Sequence, residues 1–414
     1  MSVQLIPFLI IVLFPIVFWR RVSWLAAVAL VPSFVSFGLA VLWDMQEPYE
    51  LVSGAGMLFL SVCWLLAFCP LLALNLSSSR FVHPDERHVR TLALVVAIIT
   101  VPATLYFLQY VNRIFATDIS AMRVENKMDN VSASLGPIHR VFVSCAYFYI
   151  LALGLLVYGF IRKCFSRWMM ALLVVGSLSY PLSGIYLYSR GMTLLYGVTV
   201  FAFMVIGFSF CSRELRCKLL WAFMLVVLAI GLPFSYITIE RFGDNRAQGF
   251  YEYVGGGPRF FSRIFYHREE WRKDPTAVAL RPFSMIWDRL MDNGAPHERM
   301  LEVYDDNKQL TYSEESNDQP SAPFITLCGG WLSEFPAWVV LLLHLGVAVC
   351  FSRLLSRYSK EMTLTGLMVC GVYLVSCMMY PVGYLYFGTP GNVAFLLIAA
   401  GAVYLRKENP LKCI

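Results

Sequence analysis

Residues 240–274 read ERFGDNRAQGFYEYVGGGPRFFSRIFYHREEWRKD and open the longest polar interval of the chain, Glu240 to Ala322. Apolar runs of membrane length bound it on both sides, and every other hydrophilic interval is short. That contrast decides the fold class. A spanning helix needs about 20 mostly apolar residues, and roughly eleven segments qualify, near residues 5–19, 22–43, 53–74, 91–110, 141–161, 169–188, 192–210, 219–238, 335–351, 362–382 and 392–405. The expected architecture is an all-α, polytopic membrane helix bundle of about eleven transmembrane helices. Residues 1–238 carry spans one to eight, 239–323 form one long extracytoplasmic loop, and 324–414 carry spans nine to eleven.

Composition points the same way. Of 414 residues, 58% are hydrophobic and only 14% charged, whereas charged residues make up about a quarter of a soluble domain. The net charge of +6 has a membrane explanation, because Lys and Arg collect in short cytoplasmic loops. No nucleic-acid partner is implied. The first apolar run, Leu5 to Trp19, lacks a basic leader and ends at Arg20 and Arg21, so it reads as a retained span rather than a cleaved signal. The 11 cysteines include no CxxC pair and fall mostly within apolar spans. They read as small hydrophobes, with Cys328 alone near the expected outer surface. Neither a disulfide framework nor a metal site is expected.

Charge also orients the bundle. The intervals after spans 1, 3, 5, 7 and 9, with the carboxy-terminal tail, hold 17 basic residues, against Arg113, Arg123, Lys127, Arg140 and Arg190 in the short alternate intervals. The positive-inside rule then puts the first set in the cytoplasm, with the N-terminus outside and the C-terminus inside. Only Asp85, Glu86, Glu214, Glu361 and Glu408 of the 27 acidic residues fall on the cytoplasmic side.

Within the long loop, Phe261, Ile264, Phe265 and Trp271 repeat on one helical stripe, with Arg259, Arg263, His267 and Glu270 on another. Residues 282–293 repeat the pattern between Pro282 and Gly294. Both segments read as interfacial amphipathic helices.

Three constellations could carry chemistry. Arg190 sits in the tight turn Ser189-Arg190-Gly191 between two spans, where a guanidinium either snorkels or meets an anion. The series Arg241, Arg246, Arg259, Arg263, Arg268 and Arg272 is interleaved with Tyr251, Tyr253, Phe260, Phe261, Tyr266 and Trp271. Guanidinium forks suit phosphate, aromatic faces suit sugar rings, and Gly255 to Gly257 offers hinge freedom. An amphipathic helix resting on lipid headgroups accounts for the same pattern. For acid or base work the outer candidates are His267, His297, His139, Glu240, Asp244, Glu252 and Glu334, with His267 favoured by its helical spacing from Arg263. His344 lies mid-span and reads as a packing histidine. No metal cage, nucleotide loop or Ser-His-Asp arrangement is legible, and no cofactor is called for.

Three stretches also resemble a known family: YLYSRGMTLLYG at residues 186–197, FGDNRAQGFYEYVGGGPRFF at 242–261, and FITLCGGWLSEFPAWVVLLLHLG at 324–346. Together with the topology they look like the Wzy-type polymerases of bacterial O-antigen and capsular repeat units, membrane glycosyltransferases of GT-C type. The resemblance implies a multi-pass protein of the bacterial cytoplasmic membrane that transfers a growing glycan from its undecaprenyl diphosphate onto a new repeat unit. It assigns the leaving diphosphate to Arg190, Arg246, Arg259 and Arg263, while Tyr251, Tyr253 and Trp271 stand, from the aromatic pattern itself, as the candidate sugar contacts. It fixes no base, so His267 and Glu334 stand as the catalytic candidates. The implied partners are lipid diphosphate-linked glycans and the bilayer, with a chain-length regulator protein as a further candidate. An O-antigen ligase and a lipid-linked oligosaccharide flippase or exporter are the alternatives.

Overall fold

The computed structural model describes residues 3–46 apart from 19, 53–76, 79–82, 86–111, 137–186, 190–221 with single positions up to 231, 254–265 in part, 326–332, 335–381 and 398. These residues are mostly helical. Their order is α1 (Leu5–Val17), α2 (Trp24–Gln46), α3 (Gly54–Phe68) running into a 3-10 turn (Cys69–Ala73), β1 (Arg80–Phe81), α4 (Glu86–Leu108), α5 (Pro137–Ala146), α6 (Tyr149–Arg162), α7 (Arg167–Ser177), α8 (Ser179–Tyr186), α9 (Arg190–Phe208), α10 (Leu327–Leu332), α11 (Ala337–Lys360), β2 (Glu361–Met362) and α12 (Leu364–Met379).

Six of the described helical segments are long and apolar enough to cross a membrane: Trp24–Gln46, Gly54–Ala73, Glu86–Leu108, Val141–Arg162, Gly191–Phe208 and Ala337–Lys360. Leu5–Val17 and Leu364–Met379 are apolar but shorter. Their outward faces carry exposed Leu13, Ile16, Val31, Ile98, Leu105 and Leu342, a surface that suits lipid rather than water. Exposed Trp24, Trp168 and Trp338 stand at the starts of α2, α7 and α11, as an interfacial aromatic belt requires.

The segment expected as one span over 169–188 is two helices, α7 and α8, with a break at Leu178. Pro181 explains the break, since it has no N–H to return to the Ser177 carbonyl, and a proline is well placed only in a helix's first turn. Lys163 ends α6 in the left-handed conformation at φ 55°, its N–H donating to the Gly159 carbonyl at 2.8 Å.

The chain divides into two compact units. One comprises Met1–Asn75, Asn245–Ser356 and Ser376–Val393, the other Leu76–Asp244, Arg357–Val375 and Ala394–Ile414. In the second unit α4 packs along α7, and α6 against α7 and α9. Small residues allow the close approach: a Cβ on Gly176 would fall on the Thr100 hydroxyl. Next to that contact, the Thr104 hydroxyl donates to the Val175 carbonyl at 2.8 Å. Polar bonding between small-residue faces is how apolar helices associate where water supplies no driving force. The unit's interior holds a tyrosine cluster. Tyr149 stacks on Tyr180 at 4.3 Å, and the Tyr196 hydroxyl lies 2.8 Å from Ser177 Oγ. The strands form a two-residue parallel bridge pairing Arg80 with Glu361 and Phe81 with Met362.

In the first unit, α1 packs on α2 and α3, and α10 on α3. The Trp64 indole donates to Ser33 Oγ at 3.1 Å and stacks on Phe68. Along α11 the buried residues are Val340, His344, Ala348 and Leu355, one helical stripe on which His344 is the sole polar member.

Candidate functional site

The described part of the polar interval does not lie on the surface of the first unit. Residues 254–259, VGGGPR, are helical, and Gly255 through Arg259 are buried. Gly255 is there for proximity: a Cβ would sit 3.0 Å from the Ala40 backbone nitrogen and 3.1 Å from the Leu39 carbonyl carbon of α2. The glycine triplet, expected as a hinge, is instead a helix pressed against another helix's backbone, because removing side chains is what lets two backbones meet. The Ser36 hydroxyl donates to the Val254 carbonyl, and the Gln4 side-chain amide donates to the Arg259 carbonyl at 3.3 Å. Further on, Phe261 is fully buried, and Phe265 lies against Phe59 and over Gly56 of α3.

Arg259 is the cation this packing positions. It is only 5% exposed, and its guanidinium carbon lies 3.8 Å from the centre of the Trp43 ring. The stack is a cation–π contact, worth about 2 kcal/mol when desolvated. Asp44, the next residue after Trp43, is itself buried. A buried guanidinium keeps its charge and its planar fork, the properties that recognise phosphate oxygens.

A second polar group of the same unit converges from three segments. Thr326 accepts the Gly329 N–H at 3.0 Å and so caps α10, a six-residue helix whose described side chains are buried. Short helices at membrane depth persist only where protein covers their backbone ends. Its Cys328 meets Cys63 of α3 and His344 of α11, and the donor atoms of all three lie within 4.8 Å of one another. His344 Nδ1 is 2.8 Å from the Val340 carbonyl, which makes that nitrogen the donor. The other nitrogen, Nε2, is then the acceptor for the Tyr380 hydroxyl at 3.2 Å. The Trp331 ring closes over His344 with 4.8 Å between centroids.

Of the residues expected to act, Arg259 is thus placed inside the first unit. Arg190 opens α9 in the second unit, its backbone already helical. Each arginine is described within its own unit. His267, Glu334, Arg246, Arg263, Tyr251, Tyr253 and Trp271 lie outside the described residues. His139, an acid or base candidate, is buried with Nδ1 3.1 Å from the Tyr106 hydroxyl, and burial lowers its pKa below the ordinary histidine value. It is a neutral imidazole held by an aromatic cluster. Gln4, Trp43 and the thiol and imidazole group were not legible as partners, because their meeting depends on tertiary packing between segments far apart in sequence.

No protein-family model, curated protein or solved structure matches this chain.

Proposed function

We propose that this chain is a membrane glycosyltransferase that polymerises undecaprenyl diphosphate-linked oligosaccharide repeat units at the outer face of the bacterial cytoplasmic membrane. The observation that supports it best is Arg259: a guanidinium contributed by the one long polar interval and held, stacked on Trp43, within a helical unit of membrane-spanning character. In the reaction the bond between the anomeric carbon and the diphosphate oxygen breaks. The acceptor sugar's hydroxyl oxygen bonds to that carbon, its proton passes to a base, and the lipid diphosphate leaves with the bond's electron pair. Fixed cations near that leaving group stabilise the charge as it develops. Arg259, with Arg246 and Arg263 of the same polar interval, serves this role in the reading, and His267 and Glu334 are the candidate bases.

The test is deletion in the native bacterium followed by complementation. Surface glycan is expected to collapse to single repeat units, to return with the intact chain, and to stay short with Arg259→Ala. Arg259→Lys is expected to restore length only in part, because lysine keeps the charge but not the fork or the stack. Long chains persisting after deletion, with no second copy present, would overturn the proposal. Loss of all glycan from the lipid A core would replace it with a ligase.

A further inference from the structure

We propose that Cys63, Cys328 and His344 form a binding site for a thiophilic divalent cation, zinc being the physiological choice. The site does not depend on the polymerase reading and can be tested apart from it.

Donor chemistry comes first. Two sulfurs and an imidazole nitrogen are the ligand types zinc selects, and a Cys2His set leaves a fourth position open. Tetrahedral coordination with zinc–sulfur bonds near 2.3 Å and zinc–nitrogen bonds near 2.0 Å separates donor atoms by about 3.3–3.8 Å. The three donors lie within 4.8 Å of one another, so a closure of about 1 Å completes the geometry. The Tyr380 oxygen, 3.2 Å from His344 Nε2, lies beside the cluster as a neutral oxygen near the open fourth position.

Orientation supports the same assignment. The Val340 carbonyl takes the Nδ1 proton of His344, which leaves Nε2 unprotonated, and an ion bound there would replace the hydrogen bond that Nε2 accepts from the Tyr380 hydroxyl. A carbonyl in that position is the usual outer-shell partner of a metal-bound histidine. All three ligands are fully or almost fully buried, and each comes from a different helix, so the ion would pin α10 to α3 and α11.

Charge selects the ion. Binding releases two thiol protons, giving two thiolates and a neutral imidazole, and a divalent cation then leaves the buried complex with no net charge. A monovalent ion such as Cu(I) would leave one uncompensated negative charge in an apolar interior, which is costly.

The experiment uses the full chain purified in detergent with reductant, dialysed against a weak chelator, and assayed for metal by mass spectrometry. Stoichiometric zinc is expected, and cobalt exchanged into the protein should give thiolate-to-cobalt charge-transfer absorption. Cys63→Ser, Cys328→Ser and His344→Ala should each weaken retention by at least about tenfold, the scale on which metal sites respond even to outer-shell loss. Cys370→Ser, a buried thiol of the other unit, should leave it unchanged. Cys63→His supplies a replacement ligand and should recover binding where Cys63→Ala does not, which separates lost coordination from failed folding. Zinc absent from the native chain, zinc retained equally by all variants as an adventitious ion only, or a Cys63–Cys328 disulfide seen by mass without reductant would each overturn the site.

Discussion

Both units bury polar side chains among apolar helices, but of different kinds. Among the described residues of the second unit, the buried polar side chains are mostly hydroxyls, with the His139 imidazole beside them. Ser177 Oγ gives its one hydrogen to the Val174 carbonyl, so Tyr196 must be the donor to Ser177. Thr199 likewise donates to the Leu195 carbonyl, which makes Tyr149 the donor to Thr199. Each chain of bonds ends on a helix carbonyl and closes on itself. In the first unit the polar interior holds a guanidinium, two thiols and an imidazole, groups that carry charge or bind ions. A hydroxyl network that ends on helix carbonyls specifies packing, whereas groups able to carry charge or ligate an ion can also serve a ligand.

That distinction can be broken by mutation. The largest effect is expected from Tyr180→Ala, which empties a fully buried ring position stacked on Tyr149. It should cost about 3–5 kcal/mol of stability in denaturant titrations of the solubilised protein, while metal content stays unchanged. Trp43→Phe should lower stability by about 1–2 kcal/mol through the weaker cation–π stack, and should shorten surface glycan more than that loss explains. Equal glycan length in that variant would remove the functional side of the contrast. Tyr196→Phe removes one neutral donor and should cost about 1 kcal/mol, with no other phenotype.

The smallest effect concerns pH. Because burial lowers the pKa of His139 in the fold, the unfolded chain takes up the proton more readily. Stability should therefore fall as pH drops below the ordinary histidine value of about 6.5, and level off below the lowered folded value. In His139→Gln that portion of the pH profile should flatten.

Of the roughly eleven expected spans, the six long apolar helices among the described residues were legible, because a membrane helix advertises itself by length and apolarity alone, as in α2, α4 and α11. What escaped the sequence depends on distant neighbours. The break at Leu178 needed Pro181 to be weighed within an otherwise uniform apolar run. The Gly255–Gly257 triplet looks like a hinge until the α2 backbone against it is known. Arg259 falls on a stripe that fits a lipid surface equally well, so its burial over Trp43 could not be read from the sequence. His344 was read as a packing histidine, and it is buried. Its two thiol neighbours come from helices that no spacing rule connects.

The small bridge between β1 and β2 has a consequence in biosynthetic time. Ser79 donates to the Tyr358 carbonyl beside it, across a separation of 279 residues. At a synthesis rate of about 5–20 residues per second, the amino-terminal partner waits roughly 15 to 60 s for the other to be made. Until then the second unit lacks both the bridge and α12, whose Met368 and Gly371 pack on Gly154 and Phe203. This half of the molecule is therefore finished late, by a segment synthesised after most of the chain.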